Sequence, residues 1–232
     1  MRSIRAIFMK QALDMLKNLA TLVQFAVFPI VAFVMTELVA KGNDDIPDGM
    51  FVTQMASVFT GMILVTITAG IIAEDRDKKS LRLLVMAGVK PYEYLIGIGG
   101  VVFSLSAVVC VIFGLVGRFT SVEFAKFIAV TLPGAASSVL LGATIGVFSK
   151  NQQSATAISM PIAMVLGFGP MIAMFNETAE KLLSIFYTQQ MNVVVNDFSA
   201  SIATPILVIL ANIAVLTILF TLAYRKRGLR SL

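Results

Sequence analysis

Six stretches of this chain run for about twenty residues each with almost no charge, at 19–40, 55–73, 94–116, 127–148, 155–175 and 203–224. A helix needs roughly 20 apolar residues to cross a hydrocarbon layer about 30 Å thick. Five of the six contain no ionisable aspartate, glutamate, lysine or arginine, and the first carries only Glu37 near one end. The fourth and fifth are close together, yet a single helix over 127–175 would be twice the bilayer, so a break is expected at 149–154. With 58% apolar and 13% charged residues, the chain departs from the roughly 25% charged composition of soluble domains. The expected fold is an all-α polytopic membrane domain of six spans occupying residues 1–232.

Charge decides orientation. Fourteen of the 18 lysines and arginines fall in the N-terminal segment, the loop between the second and third spans, Lys150, and the C-terminal tail; the other four are Lys41, Arg118, Lys126 and Lys181. By the positive-inside rule both termini are expected in the cytoplasm. The net charge of +5 then follows from topology, not from a nucleic-acid-binding face. With no histidine and one cysteine, Cys110, neither a disulfide within the chain nor a zinc or haem site built on His or Cys pairs is possible. The same lack of histidine excludes zinc-protease chemistry, and no pair of membrane aspartates exists for an aspartyl mechanism. There is no G-x-x-x-x-G-K-[ST] phosphate loop, and no ionisable residue lies mid-span, where ion-coupled carriers place them.

Before the first span, Ile4, Ile7, Phe8, Ala12, Met15, Leu16 and Leu19 recur at helical spacing opposite Arg2, Arg5, Lys10, Asp14 and Lys17. Residues 1–18 are expected to form an amphipathic interfacial helix, and the first span an uncleaved anchor, a targeting peptide being the alternative. The loop 176–201 carries two short periodic stretches, read as short helices resting at or dipping into the outer surface.

The loop EDRDKKSLRLLVMAGVKPYEY, 74–94, is the most informative. Ser80 is a plausible N-cap, the residues from Leu81 are helix-forming, Gly88 is placed to close the helix with positive φ, and Pro91 stops it. A short helix over 80–88 follows, apolar through Leu81, Leu84, Val85 and Met86. Such an object fits a pocket on a partner protein, or lies on the lipid surface. Between the fourth and fifth spans, Asn151, Gln152 and Gln153 offer uncharged donors and acceptors, either to a partner or to water. Gly134, Ser138, Gly142 and Gly146 repeat every four residues and permit close helix packing, within one bundle or between subunits. The fifth span combines Pro161, Gly167, Gly169 and Pro170 with Met160, Met164, Met171 and Met174; methionines adapt to varied apolar ligands, although in membrane helices they usually just pack or face lipid. Gln24, Thr66, Thr68 and Asn212 are the polar residues able to bond between spans, and Glu37 is expected at the outer interface.

Together the six spans, the amphipathic N-terminal helix and the 74–94 loop resemble the permeases of the type-2 ABC transporter family, the export type with the type V fold. Glu74, Lys79, Leu81, Leu84, Gly88 and the YLIG run at 94–97 stand where that pattern expects an acidic residue, a basic stretch, a Leu-rich helix and a turn into the third span. The wording LRLLVMAGVKPYEYLIG is similar to Gram-positive members. The resemblance implies that residues 80–88 are a coupling helix docking on a separate ATP-binding cassette subunit through Glu74, Lys79, Leu81, Arg82, Leu84, Val85, Met86 and Gly88, with Asn151, Gln152 and Gln153 as a second contact. It implies two ATPase copies, which bind ATP and Mg, and a second permease, identical or paralogous. Thr66, Met160, Met164 and Met171 are then candidates to line the pathway. No cofactor is expected on this chain, which is expected in a bacterial plasma membrane exporting a drug, an antimicrobial peptide or a lipid-like substrate. An ATP-independent channel or carrier is the alternative.

Overall fold

The computed structural model describes residues 2–42 and 49–228, and all regular elements among them are helical. In chain order they are α1 (Arg2–Lys17), α2 (Leu19–Leu38), a 3-10 turn (Ala40–Gly42), α3 (Met50–Val58), a π-turn (Phe59–Ile63), α4 (Leu64–Asp77), α5 (Ser80–Met86), α6 (Pro91–Val116), α7 (Ser121–Phe148), α8 (Gln152–Ala173), α9 (Glu177–Leu183), α10 (Tyr187–Asn196) and α11 (Ala203–Gly228). Among the described residues six helical stretches are long and apolar enough to cross a membrane, the second being the continuous run Met50–Asp77.

Local chemistry explains the boundaries. Asn18 alone separates α1 from α2, its Oδ1 accepting from the Thr21 amide at 3.3 Å. Thr120 caps α7 in a reciprocal box with Glu123, and Asn151 caps α8 by accepting from the Ser154 amide at 2.9 Å. Each cap satisfies amides that a helix start leaves without partners. The second span is nine or so residues longer than the 55–73 window because a helix does not end where its apolar run ends. Its last turn, through Glu74 and Arg76, continues beyond the apolar window.

α7 and the α3–α4 span form the centre. Two-thirds of the apolar window of each (67%) is buried, against 17% for α2 and 22% for α11, which leaves those two at the periphery with their apolar side chains facing outward, as lipid-facing helices require. The central contact is backbone on backbone. A Cβ added at Gly142 would lie 2.5 Å from the Val65 carbonyl oxygen, and one at Gly146 would lie 2.8 Å from that of Ala69. Toward the other end of α7, Gly134 faces the Met191 side chain and Ser138 hydrogen-bonds with Tyr187 at 2.8 Å, both on α10. The four-residue stripe is therefore covered by the chain's own α4 and α10.

α10 is not a surface helix. Tyr187, Met191, Val194 and Val195 are all buried, and burial pushes the Tyr187 phenol well above its ordinary pKa against the pull of the Ser138 hydrogen bond. The periodic stretch 179–187 is split by a turn at 184–186, so Tyr187 opens α10 instead of closing α9. α1 crosses α6 at two glycines: a Cβ at Gly97 would meet Ile7 at 2.6 Å, and one at Gly100 would meet Phe8 at 3.5 Å. Its inward line is Ile7, Gln11 and Met15, while Leu16 and Leu19, counted with the apolar face in sequence, are exposed. Glu37 is ion-paired with Arg118 at 2.6 Å, tying the end of α2 to the α6–α7 turn. Asn212 donates to the Ile185 carbonyl at 2.9 Å, whereas Thr66 and Thr68 bond back to their own helix.

Candidate functional site

The basic end of the bundle gathers α1, the α4–α5–α6 loop, the α7–α8 junction and the C-terminal turns of α11. α4 ends at Asp77, and Lys79 takes a left-handed conformation, φ 60°, which few non-glycine residues adopt. Its carbonyl accepts the first α5 bond, from the Leu83 amide at 3.2 Å, so Lys79 occupies the cap position and Ser80 is already helical. The helix closes at Gly88, φ 79°, with the Val89 amide donating to the Leu84 carbonyl at 3.0 Å. This is the six-to-one bond of a glycine-terminated helix, and it makes α5 a short helix fixed at both ends.

Its faces differ from those suggested by composition. Leu84 and Val89 pack against the cluster containing Ile72, Tyr94, Phe220 and Tyr224, so Leu84 is an anchor to the bundle. The apolar side chains that face outward are Leu83, 63% exposed, and Met86, 56% exposed. The side chains of Leu81, Arg82 and Val85 lie outside the described residues.

Three consecutive residues at the end of α4 connect this loop to the rest of the bundle. Glu74 pairs with Lys78 at 2.6 Å, and that hydrogen bond, with the carboxylate's charge, raises the Lys78 pKa. Asp75, largely buried, accepts from the Tyr94 hydroxyl of α6 at 3.1 Å and lies 3.6 Å from Lys10 of α1. Arg76 donates to the carbonyls of Val147 and Ser149, each at 2.8 Å, and so satisfies acceptors that the end of α7 leaves free. Successive residues of a helix point about 100° apart, which is why one turn reaches α5's root, α1 with α6, and α7. Asp75, Arg76 and Leu83 were not among the residues expected from sequence, and Tyr94 was expected only as part of the turn into the third span. The signal available was a run of charges, EDR, which the apolar window leaves outside the span and the structure places inside the last turn of α4.

Above this face a cavity of about 420 Å³ opens between α2, α4 and α8. Gln24, Thr66, Gln152, Thr156 and Met160 line it, with Glu74 among the lining residues. The structure thus brings Thr66 and Met160 together. Met164 and Met171 lie elsewhere on α8, exposed and outside the cavity. At the α7–α8 junction Asn151 is occupied as a cap, Gln152 turns into the cavity, and Gln153 is exposed. A π-turn interrupts the second span beside the cavity, at Phe59–Ile63. There Gly61 meets the fifth span so closely that a Cβ would lie 2.6 Å from the Leu166 carbonyl carbon. Such turns are common at functional sites, and nothing in the apolar pattern marks this one.

Six membrane-length helices among the described residues define a multi-pass membrane protein with a charged face at one end and a cavity with polar lining between its spans. The profile of the family described as ABC-2 family transporter protein matches residues 6–222, nearly the whole chain, and the protein belongs to that family as its membrane-spanning permease component. No curated protein matches the chain.

Proposed function

We propose that this chain is the permease of an ATP-driven exporter in a bacterial plasma membrane, with both termini in the cytoplasm. A separate ATP-binding cassette subunit, in two copies, docks on the basic face and supplies ATP and Mg; a second permease, identical or related, completes the pathway. The observation that carries this reading is α5: a helix held at both ends, presenting Leu83 and Met86 outward, and continuous with the α4 turn whose Glu74, Asp75 and Arg76 reach three parts of the bundle. A rigid helix of this kind transmits a displacement instead of absorbing it, which is what two-state coupling between a motor and a pathway requires. The cavity between α2, α4 and α8, lined by both polar and apolar side chains, suits an amphipathic drug, peptide or lipid-like substrate.

Topology and coupling are tested together. In a Cys110→Ser background, Leu83→Cys is expected to react with a membrane-impermeant maleimide in inverted vesicles and not in right-side-out vesicles. An ATPase is expected to co-purify with the wild type and to be lost with Leu83→Asp. Labelling from the outer side would overturn the assignment. Solute movement by the purified chain alone in liposomes would favour an ATP-independent carrier.

A further inference from the structure

At the end of the bundle opposite the basic face lies a second cavity, of about 500 Å³, between α3, α8, α9 and α10. That volume falls within the range of small-molecule sites, about 300–1,000 Å³. One wall is built from uncharged hydrogen-bonding side chains: Thr53, Gln189, Asn192 and Asn196. Two of these are deeply buried, Gln189 at 4% and Asn192 at 2% exposed. Each keeps one polar atom without a partner, Gln189 Oε1 and Asn192 Nδ2. Behind them Gln54 on α3, also buried, has its Oε1 unpartnered in the same way. An unpaired buried polar group costs about 1–3 kcal/mol, and the two carboxamides that border the cavity, Gln189 and Asn192, concentrate that cost where a ligand can relieve it.

The chemistry of the wall narrows the ligand. A carboxamide offers both an N–H and a C=O, the complement of a peptide group. Met50, Met174 and Val193 supply an apolar flank, suited to adaptable contact with aliphatic side chains. The one charged lining residue is Glu180, exposed at the rim; no lysine or arginine lines the cavity among the described residues. A carboxylate at the rim, amides inside and an apolar flank match an ammonium, a run of peptide groups and aliphatic side chains in that order. No aromatic ring lines the cavity among the described residues for a sugar to stack on, and an anionic headgroup would meet only a carboxylate. We infer that this is a binding site for the amino-terminal segment of an apolar peptide, its ammonium at Glu180 and its first peptide groups on Gln189 and Asn192. The site stands independently of which partner docks on the basic face.

The test is binding to the purified full-length chain in detergent, by calorimetry, with three probes: trileucine amide, its N-acetylated form and octylammonium. Trileucine amide is expected to bind saturably, about tenfold more tightly than the acetylated form and about tenfold more tightly than to Gln189→Leu, the effect of removing one good hydrogen bond or ion pair. Octylammonium, which lacks peptide groups, is expected to be indifferent to Gln189→Leu. If Gln189→Leu is not monodisperse, Glu180→Gln decides at the exposed rim: it should weaken trileucine amide and leave the acetylated peptide unchanged. No saturable binding to the wild type, or an equal weakening for octylammonium and the peptide, would overturn the site.

Discussion

Replacing Gly142 by alanine tests the backbone contact on which the centre of the bundle rests. The added Cβ would stand 2.5 Å from the Val65 carbonyl oxygen, 2.8 Å from Thr68 Cβ and 3.2 Å from the Ala69 amide, where ordinary contact begins at 3.4 Å. Because two of those atoms are backbone, no rotamer change relieves the clash, and α7 must withdraw from α4 by about 0.9 Å. Overpacking of this kind costs about 1–3 kcal/mol, and the lack of a side-chain escape puts Gly142 in the upper part of that range. Alanine returns about 1 kcal/mol through its better helix propensity, leaving a net loss of about 1–2 kcal/mol. For a chain of this length that is a fall in Tm of roughly 2–8 °C. Gly70→Ala is the matched control: it lies on α4, and its added Cβ meets only the Gln152 side chain, at 3.7 Å. It should be neutral or up to about 1 kcal/mol stabilising through the same propensity term. The assay is thermal unfolding of both variants in one detergent. Equal melting temperatures for Gly142→Ala and Gly70→Ala would refute the close approach of α4 and α7.

Three further outcomes follow from the basic face. Leu83→Asp should abolish capture of the ATPase with little change in Tm, whereas Leu84→Asp should lower Tm markedly because Leu84 packs into the bundle; pull-down and melting curves on the same preparations separate the two. At Gly88, where an added Cβ meets nothing within 4 Å, the cost is conformational alone, about 1–2 kcal/mol for a residue in the left-handed region. Transport and Tm should therefore fall in the order Gly, Asn, Val, since asparagine tolerates that conformation best. Arg76→Gln removes charge-assisted bonds to two carbonyls at the end of α7, each such bond contributing about 1.5–3 kcal/mol. Hydrogen exchange should rise at the α7–α8 junction, and Arg76→Lys should restore part of the protection.

Much of this architecture was legible in the chain itself. Water cannot accommodate six uncharged runs of this length, and a helix is the structure that satisfies a single segment's backbone inside lipid, so class, number of spans and segregation of charge follow from local composition. The α5 helix was legible for the same reason: Gly88 and Pro91 act on their own backbone, and that action needs no neighbour. The glycine stripe on α7 was visible as a pattern, but its partners were not.

What only the tertiary structure decided are the facings. Apolar periodicity cannot say whether a leucine in a membrane protein meets protein or lipid, because both environments are apolar; hence only the structure shows Leu84 turned inward and Leu83 outward, and α10, of the two arrangements open to it, packed into the bundle. The joining of Asp75 to Tyr94 across 19 positions and of Arg76 to carbonyls more than 70 residues away depends on helices meeting in space. So does the gathering of Thr53, Gln189 and Asn192 around one cavity, since no local rule connects α3 to α10 across more than a hundred residues of sequence.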